Sequence, residues 1–283
     1  MINGVLVINK QKGCTSRDVV NEVSKILGTK KIGHTGTLDP IAEGVLVLCI
    51  GKALKISELL TAEKKEYIAS MKFGIETDML DITGKVIQKK DASKITDEMF
   101  QETLKKFVGK QLQEVPLYSA VKINGKKLYQ YARENKPVEL PKKEIEIYSI
   151  EPLERKNDEF RFKCIVSKGT YIRSLIRDIG YELDNYATMT ELIRTKQGFF
   201  DIDNSYTVNE IKENNYHLIS ILEALPDIKK INVSGKLLFQ IKNGMILNKF
   251  FEEDKVFVLD DKNNIVALYR NDENNLSKPW KMF

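Results

Sequence analysis

Gly33-His34-Thr35-Gly36-Thr37-Leu38-Asp39-Pro40-Ile41-Ala42-Glu43-Gly44-Val45-Leu46 begins in turn chemistry and ends in strand chemistry. Its glycines let the backbone turn closely and expose N–H groups, and Asp39-Pro40 favours a turn. Taken alone, such a dipeptide after a glycine-rich string is an ordinary turn. Towards the N-terminus, Val19, Val20, Val23, Ile26 and Leu27 recur at helical spacing behind Ser16, a suitable N-cap, and Gly28 closes that helix. Gly4 to Ile8 reads as a short buried strand ahead of it. On the other side, Gly44 to Ile50 reads as a β-rich segment. A polar loop carrying one carboxylate, with His34 beside it, therefore sits between regular elements.

Farther out, Glu66 to Phe73 has strand character, and Thr77 to Gly84 reads as a connecting loop holding Asp78 and Asp81. Thr96 is an N-cap followed by Asp97 and Glu98; Met99, Phe100, Leu104, Phe107 and Val108 then mark an amphipathic helix that Gly109 ends. Lys143 to Ile150 and Phe160 to Val166 read as strands, and Tyr171 to Leu183 resumes the helical period through Ile172, Leu175, Ile176 and Ile179. This mixture predicts an α+β architecture with an extended mixed sheet, not regular βαβ alternation. The pattern breaks near Leu225-Pro226-Asp227, dividing residues 1–228 from a small β-rich unit over 229–283, whose clearest strands are Val256 to Leu259 and Ile265 to Tyr269. So short a unit is marginal alone, so it is expected to pack against the main body.

With 42% hydrophobic and 30% charged residues, the chain of 283 residues is neither disordered nor fibrous. Its longest apolar run, Val45 to Ile50, is far too short to span a bilayer, and the N-terminus lacks the charged and small-residue features of a signal peptide, so a cytoplasmic location is expected. Cys14, Cys49, Cys164, His34 and His217 have no metal-ligand spacing, and the isolated cysteines suit a reducing compartment. The net charge of +5 is mild. Its distribution is uneven: Lys10, Lys12, Arg17, Lys25, Lys30 and Lys31 face only Asp18 and Glu22 near the start, an excess suited either to phosphates or to a solvated face.

The chain contains no G-x-x-x-x-G-K-[ST], G-x-G-x-x-G, G-x-S-x-G or H-E-x-x-H, which removes the usual support for nucleotide hydrolysis, hydride transfer and triad hydrolysis. Read whole, the string around Asp39 closely resembles the signature of TruB-type pseudouridine synthases. Four more segments fall in that family's order: Lys10-Gln11-Lys12-Gly13-Cys14-Thr15-Ser16, Lys65-Glu66-Tyr67, Pro116-Leu117-Tyr118-Ser119-Ala120-Val121-Lys122 with Gly125, and Ser167-Lys168-Gly169-Thr170-Tyr171-Ile172-Arg173-Ser174-Leu175. The resemblance spans roughly residues 1–200, and the tail with Asn243-Gly244 resembles a reduced PUA-type RNA-binding domain. Gln11, Val115 and Glu43 depart from the family pattern without removing a catalytic group.

The resemblance implies an isomerase that converts uridine 55 in the T-loop of tRNA to pseudouridine without a cofactor, a metal or an obligatory protein partner. It assigns Asp39 as the essential carboxylate, Arg173 as its cation and Tyr67 as the residue beneath the target base. It places His34, Tyr171 and Leu192 against the substrate. Lys10, Lys12, Lys30, Lys31 and Lys122, with Lys126 and Lys127, are expected on RNA phosphates. Two alternatives stay open here: a tRNA-folding chaperone whose catalysis is dispensable, and the guide-RNA-dependent branch that acts on ribosomal RNA.

Overall fold

The computed structural model describes residues 2–156 and 159–283. In chain order its strands are β1 (Gly4–Lys10), β2 (Ile32–His34), β3 (Glu43–Ile50), β4 (Lys65–Phe73), β5 (Ile75–Thr77), β6 (Val86–Lys89), β7 (Gly109–Glu114), β8 (Lys122–Ile123), β9 (Lys126–Lys127), β10 (Lys142–Lys156), β11 (Glu159–Val166), β12 (Ala187–Gln197) and β13 (Phe200–Asp201). The tail adds β14 (Lys230–Asn232), β15 (Leu247–Asn248), β16 (Lys255–Leu259), β17 (Ile265–Asn271) and β18 (Leu276–Met282). The α-helices are α1 (Ser16–Ile26), α2 (Ser57–Ala62), α3 (Asp97–Lys105), α4 (Leu128–Arg133), α5 (Ile172–Glu182), α6 (Val208–Lys212) and α7 (Gly235–Lys242).

Nine strands form one sheet with β1-β3-β12-β4-β11-β10-β7 as its path, β2 joining β3 and β13 joining β12. β12 and β3 run parallel, whereas β12–β4, β1–β3 and β11–β4 are antiparallel, so the sheet is mixed as expected. The uninterrupted apolar run of β3 has a simple cause: both faces of the sheet are covered. Leu46, Leu48 and Ile50 pack with Val19, Val23, Leu175 and Ile179 of α1 and α5. Val45, Val47 and Cys49 face the other way, with Phe257 and Leu268 of the tail. The tail's five strands, ordered β14-β16-β17-β18-β15, thus dock on the back of the main sheet, where Lys281 also pairs with Glu58 at 2.7 Å. No helix among the described residues is long and apolar enough to cross a membrane.

Three local expectations are corrected. The N-cap of α1 is Thr15, not Ser16: the Thr15 hydroxyl accepts from Asp18 N at 3.1 Å while the Asp18 carboxylate accepts from Thr15 N at 2.9 Å. The Ser16 hydroxyl is turned instead to Leu38, accepting from its N at 2.8 Å and donating to its O at 3.1 Å. Gly33 and His34 belong to a short strand, and α3 ends at Lys105, with Gly109 opening β7 rather than closing the helix.

Candidate functional site

Asp39 lies in the loop between β2 and β3, and buried side chains from three directions fix that loop. From β1, the Lys10 ammonium donates to Ala42 O at 2.6 Å and Pro40 O at 3.5 Å. From α1, Ser16 holds Leu38 through both of its backbone groups. From β12, Arg194 donates to Gly36 O at 3.0 Å and to Val45 O at 2.6 Å, and Gln197 donates to Thr35 Oγ1 at 2.6 Å. A loop so fully hydrogen-bonded presents its carboxylate at a defined place.

Arg173, in the first turn of α5, meets that carboxylate as a two-pronged pair: Nε lies 2.9 Å from Asp39 Oδ2, and Nη2 donates to Oδ1 at 3.1 Å. The remaining prongs donate to Met79 O at 2.8 Å and Tyr118 O at 3.0 Å, and Asp81 Oδ2 stands 4.0 Å from Nη1. The Arg173 side chain is 4% exposed and that of Asp39 33%, so the cation is locked in the protein while the anion looks outward. Such a fork is the geometry in which guanidinium orients a carboxylate best. Gln113 steadies the start of α5, accepting from Tyr171 N at 2.8 Å and donating to Tyr171 O at 3.1 Å.

The Asp39 carboxylate opens on a cavity of about 410 Å³ lined by Tyr67, Tyr171, Leu192, Arg194 and Lys65 among others. Tyr67 on β4 and Leu192 on β12 are 7% and 6% exposed, and burial raises the Tyr171 hydroxyl above its usual range. On its other side, Asp39 borders a second cavity of about 420 Å³, where Lys12 and Arg133 bring positive charge. The structure therefore brings together Asp39, Arg173, Tyr67, Tyr171 and Leu192. His34 stands apart, on β2 opposite Leu48 and off the cavity wall, with burial and then Arg194 and Arg17 depressing its basicity.

Among the expected phosphate contacts, Lys12, Lys30, Lys31 and Lys122 are exposed, and Lys126 is engaged with Glu134 at 2.5 Å. Lys10 is a correction: it is 0% exposed, with its ammonium held by carbonyls of the Asp39 loop and by Gln11 O at 3.0 Å, so it cannot reach RNA. Burial lowers its basicity, against the opposing pull of Cys14, Asp39 and Glu43. Glu43 also accepts from Lys12 N at 3.3 Å, which ties the exit of the loop to the basic N-terminal segment.

Sequence reasoning passed over Arg194, 1% exposed, and gave Lys65 no role, although burial and then Arg194 and Lys168 push that lysine down to about 8. Lys65 donates to Thr61 O and Glu63 O at 2.7 and 2.6 Å. A signal for Arg194 existed. Strand period two puts it on the same side as Leu192, already expected in the pocket.

A family model described as TruB family pseudouridylate synthase (N terminal domain) matches residues 24–172. A tRNA pseudouridine synthase B of Bacillus pumilus is 42% identical over 302 aligned residues, covering 100% of this chain and 98% of that protein. Its counterpart in Clostridium tetani is also 42% identical, over 96% of this chain and 93% of the relative. Among solved structures, a Cbf5-Nop10-Gar1 complex is similar with a TM-score of 0.68 at 27% identity, over 94% of this chain and 78% of that one. An H/ACA RNP bound to a substrate RNA containing 2′-deoxyuridine matches with a TM-score of 0.70 at 24% identity, over 99% of this chain and 84% of its own, a likeness of fold.

Proposed function

The chain belongs to the TruB family of pseudouridylate synthases, and from that premise we propose that it converts uridine 55 in the T-loop of tRNA to pseudouridine. The observation that carries this reading is the two-pronged Asp39–Arg173 pair, set on the wall of a cavity with Tyr67 and Leu192. Isomerisation breaks N1–C1′ and forms C5–C1′. The hydrogen leaves C5 and a proton arrives at N1, so no redox equivalent is consumed and no cofactor is called for. Asp39 acts as an ionised carboxylate, either attacking C1′ or removing the C2′ proton on a glycal route. Arg173 holds it aimed through its two-pronged contact.

The target nucleotide leaves its stack for the cavity, which costs a few kcal/mol that contacts to base and backbone offset. Tyr67 lies beneath the base and is placed to assist proton removal from C5, Tyr171 and Leu192 bound it, and His34 fills in beside the displaced strand. Lys12, on the wall of the second cavity, and Lys30, Lys31 and Lys122, all exposed, take phosphates of the T-arm. Residues 229–283 act as a small PUA-like RNA-binding unit behind the catalytic body of residues 1–228. The protein works in the cytoplasm and without an obligatory protein partner. Full-length similarity at 42% identity to a protein named tRNA pseudouridine synthase B, against 27% for the Cbf5 chain, favours this over a guide-RNA-dependent enzyme.

The test is tritium release from C5-labelled uridine in an unmodified tRNA transcript and in an isolated T-arm stem-loop, without metal or nucleotide. Release from both is expected. Tight binding of either RNA with no release would transfer the assignment to an RNA-folding role.

A further inference from the structure

Arg194 is a full positive charge with 1% of its surface exposed, and among the described residues its hydrogen bonds go to backbone carbonyls, not to a carboxylate. The two carbonyls, Gly36 O and Val45 O, stand on either side of Asp39 in sequence, one where its loop begins and one where β3 has taken over. The contact is also tight at the backbone. Arg194 pairs with Gly44 across the β12–β3 junction, and a Cβ at Gly44, which sits at φ +99°, would fall 2.3 Å from Arg194 O. On the other neighbouring strand Arg194 pairs with Tyr67. One residue thus joins the loop of Asp39 to the strand beneath the cavity.

We infer that Arg194 is a positioning residue, fixing the reach of the Asp39 carboxylate by holding both ends of its loop against β12. The inference rests on Asp39 being the reacting carboxylate. An uncompensated guanidinium in the interior is costly, and mere packing would be served as well by an apolar side chain of that length. A planar fork that spans two carbonyls gives what an apolar chain cannot, a fixed distance between them.

The experiment compares Arg194→Gln, Arg194→Lys and Gly36→Val by single-turnover tritium release, tRNA filter binding and thermal unfolding. Gly36→Val approaches the same contact from the loop side, because a Cβ there already lies 3.4 Å from Arg194 Nη1. Arg194→Gln and Gly36→Val are expected to lose about 100-fold in the rate of the bound complex, the effect of a misplacement of about 1 Å, with tRNA affinity unchanged. Arg194→Lys should recover part of that rate. If Arg194→Gln does not fold, Arg194→Lys and Gly36→Val decide alone. A folded variant set that turns over within threefold of wild type overturns the inference, and so does a rate loss matched by lost tRNA affinity. Asp39→Asn separates the two levels: turnover by that variant defeats the reading of Asp39 itself, whereas an inactive Asp39→Asn beside fully active Arg194 variants defeats the inference alone.

Discussion

Replacing Arg173 with lysine keeps the charge beside Asp39 and removes the fork. The guanidinium makes two contacts to the carboxylate and one each to Met79 O and Tyr118 O, a pattern that one ammonium cannot reproduce from a single point. On the carboxylate side, Asp39 is 33% exposed, so water takes up part of the lost interaction and the cost there is about 1 kcal/mol or less. On the interior side, each carbonyl left without its donor costs about 1–3 kcal/mol. Together these give a loss on the order of 2–7 kcal/mol, which lowers the melting temperature by roughly 5–20 °C for a domain of this size. Catalysis should fall further than stability, by about 100-fold or more, because a carboxylate held at one point no longer meets the sugar at a fixed angle. Single-turnover tritium release at a temperature where the variant is fully folded isolates that effect, and filter binding should show tRNA affinity close to wild type. A folded variant that reacts within threefold of wild type would refute the orienting role. A rise in the dissociation constant matching the fall in rate would make Arg173 a phosphate contact instead.

Asp39→Asn should abolish product formation and leave tRNA binding largely intact, because the phosphate contacts are elsewhere; appreciable turnover sinks the assignment. Lys10→Met should lower the melting temperature without changing the salt dependence of tRNA binding, whereas Lys12→Met and Lys31→Met should each flatten the slope of log K against log salt by about one. A flattened slope for Lys10→Met would contradict its burial. For Lys65, whose basicity falls from 10.5 to about 8, the unfolded chain holds a proton between those pH values that the folded protein has released. Its contribution to stability is therefore flat below about pH 8 and grows as pH rises through that window. Urea unfolding should find the difference between wild type and Lys65→Met shifting by roughly 1–3 kcal/mol in favour of wild type from pH 7 to pH 10, and an unchanged difference would refute the shift.

What the sequence made legible, and what it did not, follows from the range over which each force acts. Periodicity is local, and it located β4, β11 and α5 within a residue or two and the start of α3, though it carried that helix three residues too far. It misread Ser16 because hydroxyl caps are interchangeable in sequence, and only the fold shows that this hydroxyl is taken by Leu38. The Asp39–Arg173 contact joins residues 134 positions apart and left no trace in periodicity; the ordered motifs supplied it. Lys10 failed for the opposite reason, since a count of charges along the chain cannot separate a lysine in solvent from one capping carbonyls. The unbroken run of β3 did carry tertiary information, because a strand apolar on both faces requires a second covering layer, which the tail provides.

Besides Arg173, three buried cations around the Asp39 loop share a feature that bears on its chemistry. Lys10, Lys65 and Arg194 are 0%, 7% and 1% exposed, and all three donate to backbone carbonyls. Carboxylate partners would neutralise them and would also compete with Asp39 for Arg173. Carbonyl dipoles satisfy the N–H groups while leaving net charge in place, so a positive surplus stands beside the one carboxylate that points into the cavity. That surplus attracts a polyanionic strand from the side on which the carboxylate faces the cavity. The depressed basicity of Lys10 and Lys65 is its counterpart: burial weakens both, and each lies in the field of Arg194. Introducing a carboxylate beside this cluster should therefore cost rate and RNA affinity together, whereas Arg194→Lys, which keeps the charge and loses the fork, should cost rate alone.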